Sequence, residues 1–455
     1  MKYPYILHII LCSLLSITCF SCKKYLDEKP NQNLSTPETI TDLQALLDNG
    51  EFYRKGAARM GGTAADEFYV IYSDWEFLDE LRKYGYIWDT NVDDISDWNV
   101  FYLNVSLANT ILDNWPNIAA KSPGTQADEI KGGALVHRAN CFYQLAQIFA
   151  PQYDAATANS DLGIPLRIDA DFNKPSKRAS VSQTYDQIIS DLTAATQLLP
   201  ITTQYKTRPN RAAALAYLAR VYLQKGDYSN ARNAADQCLQ LYATLIDYND
   251  PQQIDTLLTE PFKNKGVLNP EIILYLNDEA SLTFSSRAKL DTTIYTSYAS
   301  NDIRRAAFAR SNSDGSKRFK GSYNGSAGLF VGLGTAEVYL IRAEANARLG
   351  NKDAALQDLN TLLVKRFKTG TYVPITAPSA EVALDIILKE RKKEMLYRGV
   401  RWSDIRRLNK EPGRAITLKR NLNGQIYTLI PNDSRYVFLI PQSIMQYSSL
   451  QQNPR

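Results

Sequence analysis

Apolar residues recur along one side of a helical period in two stretches that share a spacing. In residues 211–241, Leu215, Leu218, Ala219 and Tyr222 fall on one face of a first helix, and Ala231, Ala235 and Cys238 on one face of a second. Gly226-Asp227 separates them, ending one helix and opening the next. The small residues Ala219 and Ala231 let the two helices approach closely, and Tyr228 can pack over the turn. In residues 337–363, Ala343, Gly350 and Ala355 keep the offsets of seven and five set by Ala219, Gly226 and Ala231. This is tetratricopeptide spacing, and two such hairpins predict a helical scaffold. A scaffold of this kind does no chemistry by itself.

The pattern elsewhere agrees with a mostly α fold. Residues 41–47 begin a helix through Leu43, Leu46 and Leu47. Residues 98–115 predict a longer one, with Phe101, Val105, Ala108 and Leu112 aligned. Residues 131–149 predict another along Ala134, Arg138, Phe142, Leu145 and Phe149, which Pro151 ends. Pro165 makes residues 161–168 an extended connector. Residues 182–199 are amphipathic through Tyr185, Ile188, Ile189, Leu192 and Leu198, with a cap at Ser182. Residues 380–408 form one or two charged helices interrupted at Gly399; 272–276 and 436–440 read as short strands, and 317–334 as a glycine-rich loop. Residues 68–102 are dense in aromatics, with neither strand alternation nor a helical stripe before about Asp97. The expected organisation is one helical domain over 38–455, with large irregular insertions around 66–97 and 243–334.

Composition narrows the function classes. Lys and Arg number 52 against 48 Asp and Glu, without a basic run of the kind that nucleic-acid binding needs. Cys12, Cys19 and Cys22 lie near the N-terminus, while Cys141 and Cys238 sit in helical patterns and read as small buried apolar residues. Lys2 precedes an apolar run over 6–20, too short for a comfortable membrane span, and Ser21-Cys22 resembles a bacterial lipoprotein processing site. That predicts a signal peptide over 1–21, a lipid on Cys22, a tether over 22–37, and a body that stays in water. His8 leaves with the signal segment, so His137 is the histidine that stays, which excludes a multi-histidine metal centre and disfavours a Ser-His-Asp arrangement. Asp89-x-Asn91-x-Asp93 has the opening of a calcium loop, but Asp94 stands where glycine is needed and Val100 where the closing glutamate belongs. No metal or cofactor is expected. Glu390, Arg391, Glu394, Arg398 and Arg401 are expected to pair structurally with one another.

The succession CKKYLDEKP, ALVHRANCFYQLAQIFAPQYD, DLGIPLRI, RAAALAYLARVYLQKGDY, NPEIIL, DIR at Asp302, TAEVYLIRAEA, ILKERKKEMLYRGVRWSDIRRL and FLIPQSIMQYSSLQQNP resembles the SusD/RagB family of outer-membrane nutrient-binding lipoproteins. The resemblance covers nearly the whole mature chain. It implies a mostly α-helical body with four tetratricopeptide-like units, a monomer apart from its partner. It implies as partner a TonB-dependent β-barrel transporter of the SusC type, over whose mouth the lipoprotein sits as a lid. Ligands in the family are usually glycans and sometimes peptides, held by the irregular insertions.

A sugar ring has an apolar C–H face and polar edges, so an exposed Trp or Tyr beside Asp, Asn or Arg suits it. On that ground Tyr72, Trp75, Trp88 and Trp98, with Asp74 and Asp89 as hydroxyl acceptors, form the expected ligand surface. Phe319, Tyr323, Asn324 and Phe330 in the glycine-rich loop form a second candidate. The expected function is capture of an oligosaccharide and its delivery to the transporter, without catalysis. The rivals are peptide capture and a surface glycoside hydrolase, whose paired carboxylates need no sequence spacing.

Overall fold

In chain order the principal helices are α1 (Ile40–Leu47), α2 (Tyr72–Glu76), α3 (Ile95–Lys121), α4 (Thr125–Phe149), α5 (Val181–Leu198), α6 (Arg211–Lys225), α7 (Tyr228–Leu241), α8 (Thr335–Arg348), α9 (Lys352–Leu363), α10 (Ala380–Glu394) and α11 (Arg401–Leu408). The computed structural model describes residues 36–278, 286–325 and 328–455. Both predicted hairpins are present. Gly226 and Gly350 take φ of +79° and +83°, the left-handed conformation that lets a helix stop and the chain reverse. Asp227 then accepts the Asn230 N–H and starts α7. Ala219, Ala231, Ala343 and Ala355 are all fully buried, as close helix approach requires.

Helices α3 to α7 pack each on the next in order, α7 packs on α8, and α8 on α9 and α10. The main core runs through Phe101, Phe142, Ile188, Ala219 and Ala231, and a second core joins Leu340, Ala343, Ala355, Leu359, Leu384 and Ile387. Helix α4 lies between α3 and α5 and is buried on almost every side, so its polar residues need internal partners. Arg138 meets Asp191 at 2.7 Å and the Asn109 Oδ1 at 2.9 Å. Cys141 and Cys238 are buried free thiols, and burial pushes both up, Cys238 to about 12.

Several expected elements differ. The cap of α5 is Ser180, in a reciprocal capping box with Gln183, two residues before the expected one. The strand expected at 272–276 is Ile272–Leu274, paired with Leu333–Gly334. Residues 436–440 form no ladder: Ser434–Tyr436 is a 3-10 turn, and the Phe438 N–H bonds the Ile148 carbonyl at 2.8 Å. The tail caps the end of α4 instead of joining a sheet. A hairpin of Leu418–Leu422 with Gln425–Leu429 appears where none was expected, although Asn423-Gly424 at its turn is a strong hairpin signal.

The charged cluster on α10 is structural, but apart from Lys393 on Glu390 at 2.6 Å its partners come from other elements. Arg304 reaches Glu390 at 2.7 Å and Glu394 at 3.0 Å, and Arg366 reaches Glu394 at 2.9 Å. Arg391 pairs with Asp404 at 2.8 Å and Arg401 with Asp66 at 2.6 Å. The Arg398 guanidinium lies 4.5 Å from the Tyr323 ring and 4.3 Å from that of Phe330. Burial pushes Asp404 up, yet Arg391 and Arg407 outweigh it and hold the carboxyl at about 2. The fold thus spends its α10 charges on locking the second insertion to the helical body.

Candidate ligand-binding site

The two insertions meet in a short ladder. Strands β1 (Phe68–Tyr69) and β2 (Lys289–Leu290) pair antiparallel, Phe68 opposite Leu290 and Tyr69 opposite Lys289. The root of β1 is fixed to the body by its preceding acids. Asp66 is clamped by Arg401 and Lys392 at 2.6 and 2.9 Å. Glu67 accepts the Tyr397 N–H at 2.6 Å; burial raises its carboxyl to about 7 against that bond. From this root the chain rises into α2, a single turn and a half with no buried residue.

Helix α2 brings together three of the expected ligand residues. Tyr72 is exposed and Trp75 partly so, their ring centroids 6.0 Å apart and 28° from parallel. The Trp75 indole N–H donates to the Lys83 carbonyl at 3.1 Å, and the Lys83 ammonium lies 5.5 Å from the ring. The indole is therefore pinned at its edge while part of its surface stays accessible. Asp74 lies between the two in sequence, 3.1 Å from Lys289 and 3.9 Å from Arg287. Sequence reasoning passed over Phe77, which is 78% exposed with Arg287 5.6 Å from its ring. Its signal was available: it lies five residues after Tyr72, with Asp79 and Glu80 close behind.

The other candidates are elsewhere, most of them sealed. Trp88 is 1% exposed, donates its indole N–H to the Ala64 carbonyl at 2.9 Å, and lies 5.0 Å from the Arg420 guanidinium. Its φ of +57° is unusual for so bulky a residue and persists because packing overdetermines it. Trp98 is buried edge-on against Phe149 at 5.1 Å. Asp89 accepts the Asn91 N–H at 2.8 Å in a turn. Phe319, Tyr323 and Phe330 are each at most 2% exposed, with Tyr323 stacked on Phe330 at 5.6 Å. Asn324 is buried and bonds Asn277.

The described residues of the glycine-rich stretch are thus mostly core and not a surface loop. A Cβ on Gly332 would stand 2.1 Å from the Leu274 carbonyl, so its glycine serves close backbone passage and not ligand wrapping. Aromatic density alone cannot separate a ring that pins a loop from one that is bare. Cys22 lies outside the described residues. Among the described residues no group of acids, histidines and cysteines is placed to hold a metal, and no helix is long and apolar enough to cross a membrane.

A family model described as starch-binding associating with the outer membrane matches residues 24–223, and a second, described as the SusD family, matches residues 277–454. The chain belongs to the SusD family. The curated SusD-like protein P2 of Formosa agariphila is 24% identical to this SusD-family chain, covering 87% of it and 89% of its own length. A SusD superfamily protein from Bacteroides thetaiotaomicron has the same fold, with a TM-score of 0.73 at 21% identity over 92% of this chain and 100% of its own. A SusD-like carbohydrate binding protein from Bacteroides vulgatus aligns with a TM-score of 0.68 at 20% identity, covering 90% of this chain and 96% of its own. The SusD-family fold is therefore the frame on which α2 stands.

Proposed function

We propose that this SusD-family protein captures an oligosaccharide at the cell surface through the α2 face and passes it, unaltered, to a TonB-dependent β-barrel transporter. The observation that carries this reading is the pair Tyr72 and Trp75, stacked and accessible, with the Asp74 carboxylate on the same short helix. Rings of this kind cover the C–H face of a sugar, and a carboxylate beside them takes its hydroxyls. The relative from Bacteroides vulgatus, whose name describes carbohydrate binding, supports the ligand class. The family description, outer-membrane association, supports the location, with Cys22 as the lipid-bearing residue. The body binds the transporter as a single copy. No metal or cofactor takes part.

The test is calorimetry on the full chain, purified in detergent, with oligosaccharides selected on a glycan array. Tyr72→Ala and Trp75→Ala are each expected to weaken binding about tenfold, roughly 1.4 kcal/mol, while the thermal midpoint stays put. Unchanged affinity in both variants removes the α2 face from consideration. Release of new reducing ends during incubation indicates a hydrolase, and array signal confined to peptides indicates the peptide-binding alternative.

A further inference from the structure

Beside the α2 face, the second insertion holds an open cleft of about 850 Å³ between residues 248–257 and 295–320, a volume within the range of small-ligand sites. Its lining is cationic: Arg305, Arg310, Lys317, Lys320 and Lys368 all border it. Strands β3 (Ala309–Ser311) and β4 (Lys317–Phe319) form the hairpin along one wall, and their register sets Arg310 directly opposite Arg318. Like charges facing each other across a ladder are destabilising. The Nε atoms of Arg305, Arg310 and Arg318 are buried without a hydrogen-bond partner. Among the described residues none of the six cations is in an ion pair.

The nearby acids form no ion pair with these cations, and Asp255 acts on Lys320 only at a distance. Asp302 turns inward onto Arg304 at 2.7 Å, and Asp255 accepts the Leu257 N–H at 3.0 Å. Asp314, in the turn of the hairpin, leans away toward Lys289 at 3.7 Å. What the cations do touch is neutral. Lys320 donates to the Thr256 and Leu258 carbonyls at 2.7 and 3.1 Å. Lys317 donates to the Ser311 hydroxyl at 2.7 Å. The Tyr295 ring lies 5.0 Å from Arg305 and 5.3 Å from Lys317. Burial and then Arg318 lower Arg310, and burial and then Arg310 lower Lys320 against a smaller opposing pull from Asp255, as expected where cations outnumber the acids beside them. The whole chain carries only +4, and the buried Arg304 and Arg366 nearby are matched by carboxylates, while single buried arginines such as Arg406 and Arg420 rest on backbone carbonyls. What sets the cleft apart is that its unpaired cations are clustered.

We propose that this cleft binds the anionic groups, carboxylate or sulfate ester, of an acidic oligosaccharide whose neutral faces rest on α2. This rests on the glycan reading above and narrows it to charged sugars. The same hairpin flanks both features, since Asp314 and Asp74 share Lys289. A guanidinium facing a carboxylate or sulfate makes two parallel hydrogen bonds, so Arg305 and Arg310 on the cleft wall suit substituents along a sugar chain.

The experiment titrates the full chain with an oligogalacturonate, a sulfated galactan oligosaccharide, its desulfated counterpart and oligoglutamate, at low and high salt. One or both charged sugars are expected to bind at least about tenfold tighter than the neutral one at low salt, an advantage that high salt reduces. Arg305→Gln with Arg310→Gln should abolish that advantage and leave neutral-sugar affinity unchanged. Which charged sugar gains identifies the substituent. Arg310→Gln alone should hold or raise the thermal midpoint, because it relieves the cross-strand repulsion. Equal affinity for charged and neutral sugars, or an advantage that survives the double substitution, overturns the proposal while leaving glycan capture standing. Oligoglutamate binding as tightly as the charged sugars makes the cleft a general polyanion groove and overturns it too. Failure of every sugar, charged or neutral, defeats the glycan reading itself.

Discussion

Arg366→Met is expected to destabilise the fold by about 3–5 kcal/mol, the usual result of stranding a buried charge. Arg366 is fully buried and holds Glu271 at 2.7 Å and Glu394 at 2.9 Å, while donating to the Ile246 carbonyl at 2.7 Å. Methionine fills much of the same volume, so the loss is mainly electrostatic and not a cavity. Glu394 keeps Arg304, but Glu271 is left with a backbone N–H at 3.3 Å and the Tyr323 hydroxyl at 3.2 Å. Burial already raises Glu271 despite Arg366, and without the guanidinium it rises further. A carboxyl raised in the folded state lowers stability increasingly as pH climbs above its unfolded value. The variant should therefore be weaker at pH 8 than at pH 5, relative to the parent. Adding Glu271→Gln should return part of the loss. Urea midpoints at both pH values measure this; a cost under about 1 kcal/mol would mean the network is dispensable.

Glu67→Gln is expected to act in the opposite direction. The wild-type carboxyl is raised from 4.5 to about 7 by burial, so the folded state resists its ionisation. Its contribution is harmless below pH 4.5 and becomes a penalty as pH rises to 7, growing by about 1.4 kcal/mol per unit to roughly 3 kcal/mol. The substituted amide cannot ionise and still offers an acceptor to the Tyr397 N–H. The stability difference between variant and parent should accordingly open between pH 4.5 and 7 and then level off. His137 works against this trend in the parent. Burial lowers it to about 3, so its contribution is complete above 6.5 and declines as pH falls from there toward 3. The parent's own profile therefore hides Glu67, and only the difference between the two proteins exposes it. A difference that stays flat with pH would mean Glu67 titrates normally.

The aromatic segment shows how far local pattern reaches. Tyr72, Trp75 and Trp88 look alike in sequence, each an aromatic ring followed at once by a polar residue. Trp88 is nevertheless sealed beneath Arg420, a residue 332 positions later in the chain. Phe319, Tyr323 and Phe330 carry glycines around them as a ligand loop would, yet Gly332 among them lets backbone strands pass at close quarters. The Arg310–Arg318 pair is equally hidden until the hairpin register is known. By contrast, Asn423-Gly424 announced its hairpin in two residues and was there to be read.

The chain alone determined its long helices and both hairpins, though not the short α2, because helical periodicity and a glycine that permits a left-handed turn are local properties, written within a few residues of where they act. Family membership followed from the order of such local segments. Which aromatic rings remain bare, which arginines go unmatched and which carboxyls resist ionisation were decided only in three dimensions. Exposure and charge balance depend on partners hundreds of residues away, and no window of sequence contains both members of such a pair.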